Sequence, residues 1–218
     1  MGSPKAVDPR LVAVLAVAVV ALVALAAWLY ISQRPPGDDS PEAGFARDMM
    51  VHHAQAVQMA EIVRDKTQSE DVRIVASDIA LTQQAQIGQM QGWLAVWGLP
   101  VTGTEPAMSW MEHPTEGPMP GMATPEEIGR LYDAPPEEAD ELFLRLMIPH
   151  HRAAVPMAEA ALERTDRPEV RQLAEAIVSS QRAEIGVMQD MLRGMGAAPV
   201  EDEPSMNMGT DHGQQHEH

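Results

Sequence analysis

Cysteine is absent from the 218 residues. A disulfide framework and a thiolate metal site are both excluded by that. Positive charge is scarce: 15 Lys and Arg stand against 32 Asp and Glu, a net charge of −17. Such a polyanion repels phosphate backbones, so nucleic acid is not an expected partner, whereas cations are attracted. No stretch alternates with period two, so no sheet is expected. No Ser/His/Asp constellation and no glycine-rich phosphate loop stands out. The chain therefore reads as a binding protein rather than an enzyme, and a redox activity, which needs an open coordination position and a substrate pocket, ranks last.

Two residue types are abundant instead, with 16 methionines and 8 histidines. Methionine fills irregular core gaps, and its thioether is also a soft ligand for Cu(I). Placement has to separate these uses. The length suits one domain with appendages.

The first appendage is "LVAVLAVAVVALVALAAWLYI", Leu11 to Ile31, which carries no charge. At about 1.5 Å per residue it reaches roughly 30 Å, the thickness of a bilayer core. Lys5 and Arg10 precede it and Asp38 and Asp39 follow it. The basic flank stays in the cytoplasm, so the rest is expected outside, as a single-pass cell-membrane protein with an extracytoplasmic or periplasmic C-terminal domain. "ALA" at Ala24 to Ala26 would suit signal cleavage, but the apolar run continues past it, which favours an anchor. Residues 1–34 are thus read as anchor and 35–42 as linker.

The remainder repeats itself. Phe45, Arg47, Met49, His52, His53, Val57, Met59, Ala60 and Glu61 recur 98 positions later as Phe143, Arg145, Met147, His150, His151, Val155, Met157, Ala158 and Glu159. The match continues from Val72, Ile79, Gln83, Met90 and Gly98 to Val170, Ile177, Gln181, Met188 and Gly196. An internal duplication explains it. Each copy has the apolar spacing of two helices, in the first about Pro41 to Lys66 and Glu70 to Trp97. "TQSED" and "TDRPE" supply the turns, and Gly98 and Gly196 suit helix ends. The predicted fold is all-α: an N-terminal transmembrane helix, then an antiparallel four-helix bundle built from a duplicated hairpin. Its span is 43–196, with repeat 1 at 43–98, a loop at 99–136 and repeat 2 at 137–196. Within the loop, "TPEEIGRLY" reads as a short helix capped by Thr124, with Pro125 in its first turn. Residues 197–218 are expected to be a disordered Met/His-rich tail.

On a helix, His52 and His53 fall about 60° and about 40° to either side of Met49, so both flank the apolar stripe. Ala56 and Ala60 leave room beside them. Burying several imidazoles without partners costs several kcal/mol, which a bound metal or a connected polar network would offset. The candidate ligands are Met49, His52, His53, Met59, Met147, His150, His151 and Met157. Adjacent histidines diverge by about 100°, so one of each pair faces inward and the other a neighbouring helix or solvent. Imidazole with thioether suits copper, as Cu(I) or Cu(II), better than zinc. Met108, Met111, His113, Met119 and Met122 in the loop, and Met206, Met208, His212, His216 and His218 in the tail, add similar donors. No Glu-x-x-His occurs at the repeated histidines, which disfavours a di-iron centre. Glu184 matches Gln86 in the other copy, so that carboxylate is not duplicated. Copper sequestration or handover is the leading expectation. The alternative is a structural or partner-binding bundle with a buried histidine network.

"FARDMMVHHAQAVQMAE", "FLRLMIPHHRAAVPMAE" and "MPGMATPEEIGRLYDAPPEEADELF" together resemble the domain-of-unknown-function 305 family. The resemblance covers about Gly44 to Gly196. It implies a ferritin-like bundle and kinship with secreted or periplasmic copper-binding proteins linked to copper resistance. By position it implicates the same eight Met and His residues. Pro149 and Pro156 depart from the pattern, each removing a backbone donor and disposing the third long helix to kink.

Overall fold

Serine and threonine hydroxyls set where three of the helices begin. In the computed structural model, residues 8–32 and 34–201 are described, residues 11 and 28–32 as backbone only. Among them are six α-helices and no strand: α1 (Pro9–Ser32), α2 (Pro41–Lys66), α3 (Glu70–Trp97), α4 (Pro125–Asp133), α5 (Pro136–Arg164) and α6 (Pro168–Gly194). Ser40 accepts from the Ala43 amide to open α2, and Ser69 from Val72 to open α3. Thr124 and Glu127 form a reciprocal capping box on α4, with Pro125 in the first turn as anticipated. Gly98, in the left-handed region at φ 71°, closes α3, and Gly196 at φ 75° follows α6. In both places the next amide, Leu99 or Ala197, reaches back five residues to Leu94 or Leu192. That bond satisfies carbonyls the helix end would otherwise leave open.

The duplication is written into the contacts. α3 packs on α2, α6 on α5, and α2 against α5, so the first helices of the two copies form the central pair. Two core clusters result. One joins Phe45 and Met49 of α2 to Met157 and Ala161 of α5; the other joins Met59 and Val63 to Phe143 and Met147. Phe45 thus shares its cluster with the far end of α5, and Phe143 with the far end of α2, as antiparallel packing requires. The hairpin turns repeat too. Arg73 donates to the carbonyls of Arg64 and Thr67, and Arg171 to those of Leu162 and Thr165. Across the copies, Thr67 donates to Asp140 at 2.8 Å and Thr165 to Glu42 at 2.6 Å. Each threonine ends the first helix of its own copy and each carboxylate begins that of the other.

Pro149 and Pro156 lie inside α5, yet the helix runs unbroken from Pro136 to Arg164. The connection between the copies is pinned to α2 at a few points. Asp48 accepts from the Met108 amide at 2.7 Å and from Trp110 Nε1 at 2.8 Å. The Gln55 amide clamps Ala123 through both its oxygen and its nitrogen. Gly44 carries no side chain because a Cβ there would lie 2.5 Å from the Trp110 ring.

The described residues up to Gly37 form a unit of their own. Its helix α1 exposes Val12, Leu15, Val20, Leu22 and Leu25. Among the described residues no helix is long and apolar enough to cross a membrane. The transmembrane helix expected over Leu11–Ile31 is therefore not supported by the structure. At the other end, Arg152 and Gln189 hold the backbone of Val200, and Arg152 also holds that of Glu201. The tail methionines and histidines lie outside the described residues.

Replacing Thr67 or Thr165 with valine strands a carboxylate oxygen beside a methyl group. Each variant is expected to lose about 1–3 kcal/mol in urea unfolding. Because the two bonds lie at opposite ends of the bundle, the losses in the double variant should add.

Candidate functional site

Where α2 crosses α5, four histidines are wholly excluded from solvent: His52, His53, His150 and His151. The His52 and His150 rings sit 3.8 Å apart between centroids, inclined by 37°. These are the inward members of the two pairs, and they meet on the pseudo-two-fold axis. The outward members turn to the neighbouring helices. His53 Nε2 lies 2.7 Å from Gln86 Oε1 on α3, and His151 Nε2 lies 2.7 Å from Glu184 Oε2 on α6. This is the divergence that helical geometry implies for neighbouring residues.

The donor and acceptor inventory is informative. Carbonyl and carboxylate oxygens only accept, so a neutral imidazole facing one carries its proton on that nitrogen. His52 Nε2 faces the Pro120 carbonyl at 3.3 Å, His53 Nε2 the Gln86 oxygen and His151 Nε2 the Glu184 carboxylate. In all three the remaining nitrogen, Nδ1, is buried without a hydrogen-bond partner, and His150 lacks a partner at both nitrogens. A neutral ring protonated at Nε2 presents a bare lone pair at Nδ1. Each unsatisfied buried polar atom costs about 1–3 kcal/mol. Such lone pairs are what a metal ion takes from imidazole.

Burial keeps three of the rings, His52, His53 and His150, neutral. Burial lowers His52 from 6.5 to about 4, opposed by the Pro120 carbonyl. Burial and then the adjacent His52 lower His53 to about 3. His150 is held well below the usual range by burial, then by the other three imidazoles, opposed by the nearby His52 backbone.

The candidate methionines are also buried, but they divide. Met49 and Met157 fall in one core cluster and Met59 and Met147 in the other, on opposite sides of the histidine layer. Among the described residues, no three His, Asp or Glu side chains stand together as a ready-made metal cage. Of the loop donors, Met108, Met111 and Met119 are buried and His113 is exposed.

The polar residues lining the layer from α3 and α6 are buried Gln86 and half-buried Glu184, with Gln83 and Gln181 one turn away and buried. Sequence reasoning did not count these among the site residues. The available signal was a glutamine retained at equivalent positions 83 and 181 on an otherwise apolar stripe. A lid completes the layer. Gly121, at φ 73°, lets the loop touch α5 so closely that a Cβ would lie 2.5 Å from the Pro149 carbonyl oxygen. That approach sets the Pro120 carbonyl over His52.

The family model described as Domain of unknown function (DUF305) matches residues 42–192. A solved structure titled as a putative secreted protein DUF305 from Streptomyces coelicolor is 45% identical. It covers 76% of this chain and 100% of its own, with a TM-score of 0.72. CopM in the Cu(II)-bound form is 29% identical, covers 72% of this chain and 97% of its own, and has a TM-score of 0.56. CopM in the Cu(I)-bound form is 28% identical, with a TM-score of 0.54. Among curated proteins, Uncharacterized protein L153 of Acanthamoeba polyphaga mimivirus is 42% identical over 53 residues, 24% of this chain and 35% of that protein. The chain thus matches about a third of that relative's length.

The depressed histidines make stability pH-dependent with a definite sign. Between about pH 6.5 and about pH 4 the unfolded chain binds protons at His52 and His53 that the folded chain refuses. Stability is therefore full above pH 6.5 and falls as pH drops through that window, by about 1.4 kcal/mol for each unit of depression. Asp48 and Asp140, raised from 3.8 by burial, act in the opposite sense at the acidic end. Urea midpoints should fall from pH 7.5 to pH 5, and His53→Gln should flatten the slope.

Proposed function

We propose that this chain, which belongs to the DUF305 family, binds copper through imidazole and thioether groups in order to hold it or pass it on outside the cytoplasm. The observation that carries the reading is the set of buried, partnerless ring nitrogens on His52, His53, His150 and His151. Their lone pairs, with the thioethers of Met49, Met59, Met147 and Met157 above and below, are a donor set suited to a soft cation. The negative charge of the chain favours cation approach. Kinship with CopM, whose structures are described as bound to Cu(II), Cu(I) and Ag, supports the choice of metal.

Copper is cargo in this reading. The residues act by binding it, by excluding water and by staying neutral so that lone pairs are available. Met49 and Met157 would contribute from one side and Met59 and Met147 from the other, the flexible thioether adapting to the ion. The proposed role is carriage rather than turnover. Anchoring by α1 belongs to the same reading, supported by the uncharged run Leu11–Ile31 and its basic N-terminal flank.

A second reading is a histidine network without metal. It is favoured by the bonds His53 to Gln86 and His151 to Glu184, which already satisfy one nitrogen of each ring. Competition between the full chain and a Cu(I) chelator separates the two. We expect the double variant His52→Ala, His150→Ala to bind at least about tenfold more weakly. Unchanged binding would end the assignment. Alkaline extraction of membranes should leave the chain in the pellet, and its release would refute the anchor.

A further inference from the structure

The duplicated site is not duplicated in charge. His53 and His151 are equivalent by the repeat, and so are their partners, but one partner is the amide of Gln86 and the other the carboxylate of Glu184. Both contacts are 2.7 Å long. Around them the halves correspond closely: Gln83 with Gln181, Met49 with Met147, Thr67 with Thr165. The substitution therefore makes the two copies differ in charge at the edge of the metal-competent layer.

Chemistry distinguishes the two partners. An amide offers an oxygen or, after a flip, an NH2 group, so it can stabilise either tautomer of the imidazole it faces. A carboxylate only accepts. Facing Glu184, a neutral His151 must carry its proton on Nε2, which leaves the buried and partnerless Nδ1 as a bare lone pair. A carboxylate behind a histidine also makes that ring a stronger donor to a metal. Glu184 is accessible as well, with 23% of its side chain exposed, while the His151 side chain it holds is fully buried. It therefore places a negative charge at the boundary between solvent and the histidine layer, on the α6 side.

We propose that Glu184 is a positioning residue that fixes the Nε2–H tautomer of His151, making the second-copy half of the site, built on the His151 Nδ1 lone pair, the stronger and first-filled half for a soft cation. The inference rests on the copper reading for its ligand class but not for its tautomer. Glu184 itself need not touch the ion. Gln86 leaves His53 in the first copy without that constraint, so the two halves differ in affinity despite matching backbones.

The test exchanges the two partners. Glu184→Gln installs the residue that the first copy already carries, so the fold has a precedent for it. The full chain, labelled with 15N at histidine and free of metal at pH 8, should show His151 as a single Nε2–H tautomer. In Glu184→Gln that signal should shift toward a mixture. In the double variant Gln86→Glu, Glu184→Gln the fixed tautomer should pass to His53. Ag(I) titration, a probe without redox chemistry, should weaken by about tenfold in Glu184→Gln and recover in the double variant. A His151 spectrum indifferent to Glu184→Gln would overturn the inference, as would Ag(I) affinity that the exchange neither lowers nor restores. If the parent chain takes up neither Ag(I) nor Cu(I), the copper reading falls and the affinity difference with it. The tautomer measurement still decides what Glu184 does to His151.

Discussion

The central constraint is the contact between His52 and His150 at the crossing of α2 and α5. Two imidazoles with centroids 3.8 Å apart and no exposed surface cannot both be charged. Desolvation and mutual repulsion act in the same direction, and both rings stay neutral. Much of the surrounding structure serves that condition. The loop through Gly121 seals one side, α3 and α6 bring acceptors to the outer histidines, and the apolar clusters exclude water above and below. A layer kept neutral and dry in this way presents lone pairs, and lone pairs in a dry core are available to a soft cation in a way that imidazolium groups are not.

The pseudo-two-fold axis through that contact organises the rest. Thr67 with Asp140 and Thr165 with Glu42 tie each copy to the opposite end of the other. Neither hairpin closes its own core, because the methionines and phenylalanines of one copy pack among residues of the other. Departures from symmetry are then informative. Asp48, which secures Trp110 and Met108, has Leu146 as its counterpart, so this pair of hydrogen bonds to the connecting loop comes from the first copy alone. Glu184 opposite Gln86 is another departure, and it falls beside the histidine layer.

Much of this was legible in the chain. Helical apolar spacing, capping residues and turn residues placed the helix ends, because those signals act within a few residues. Thr124 and Pro125 marked α4, and Gly98 marked the end of α3. The third long helix was legible; that Pro149 and Pro156 leave it unbroken from Pro136 to Arg164 was not. Proline removes two donors, but packing over the full length of α2 and α6 outweighs that loss. The site was legible as a list of side chains but not as a constellation. The same periodicity that placed Met49 and Met147 on the histidine stripe could not say that they would separate into different clusters.

What the sequence determined by itself was the duplication, the helices and the divergence of the two histidines of each pair, since these follow from local chain geometry and the repeat. Only the tertiary structure decided which nitrogens keep a partner. His52 meets a carbonyl 68 residues away, and His53 and His151 each meet an oxygen 33 residues away. Hydrogen-bond satisfaction in a dry core depends on where other helices and loops arrive, and no local pattern in the chain encodes their arrival.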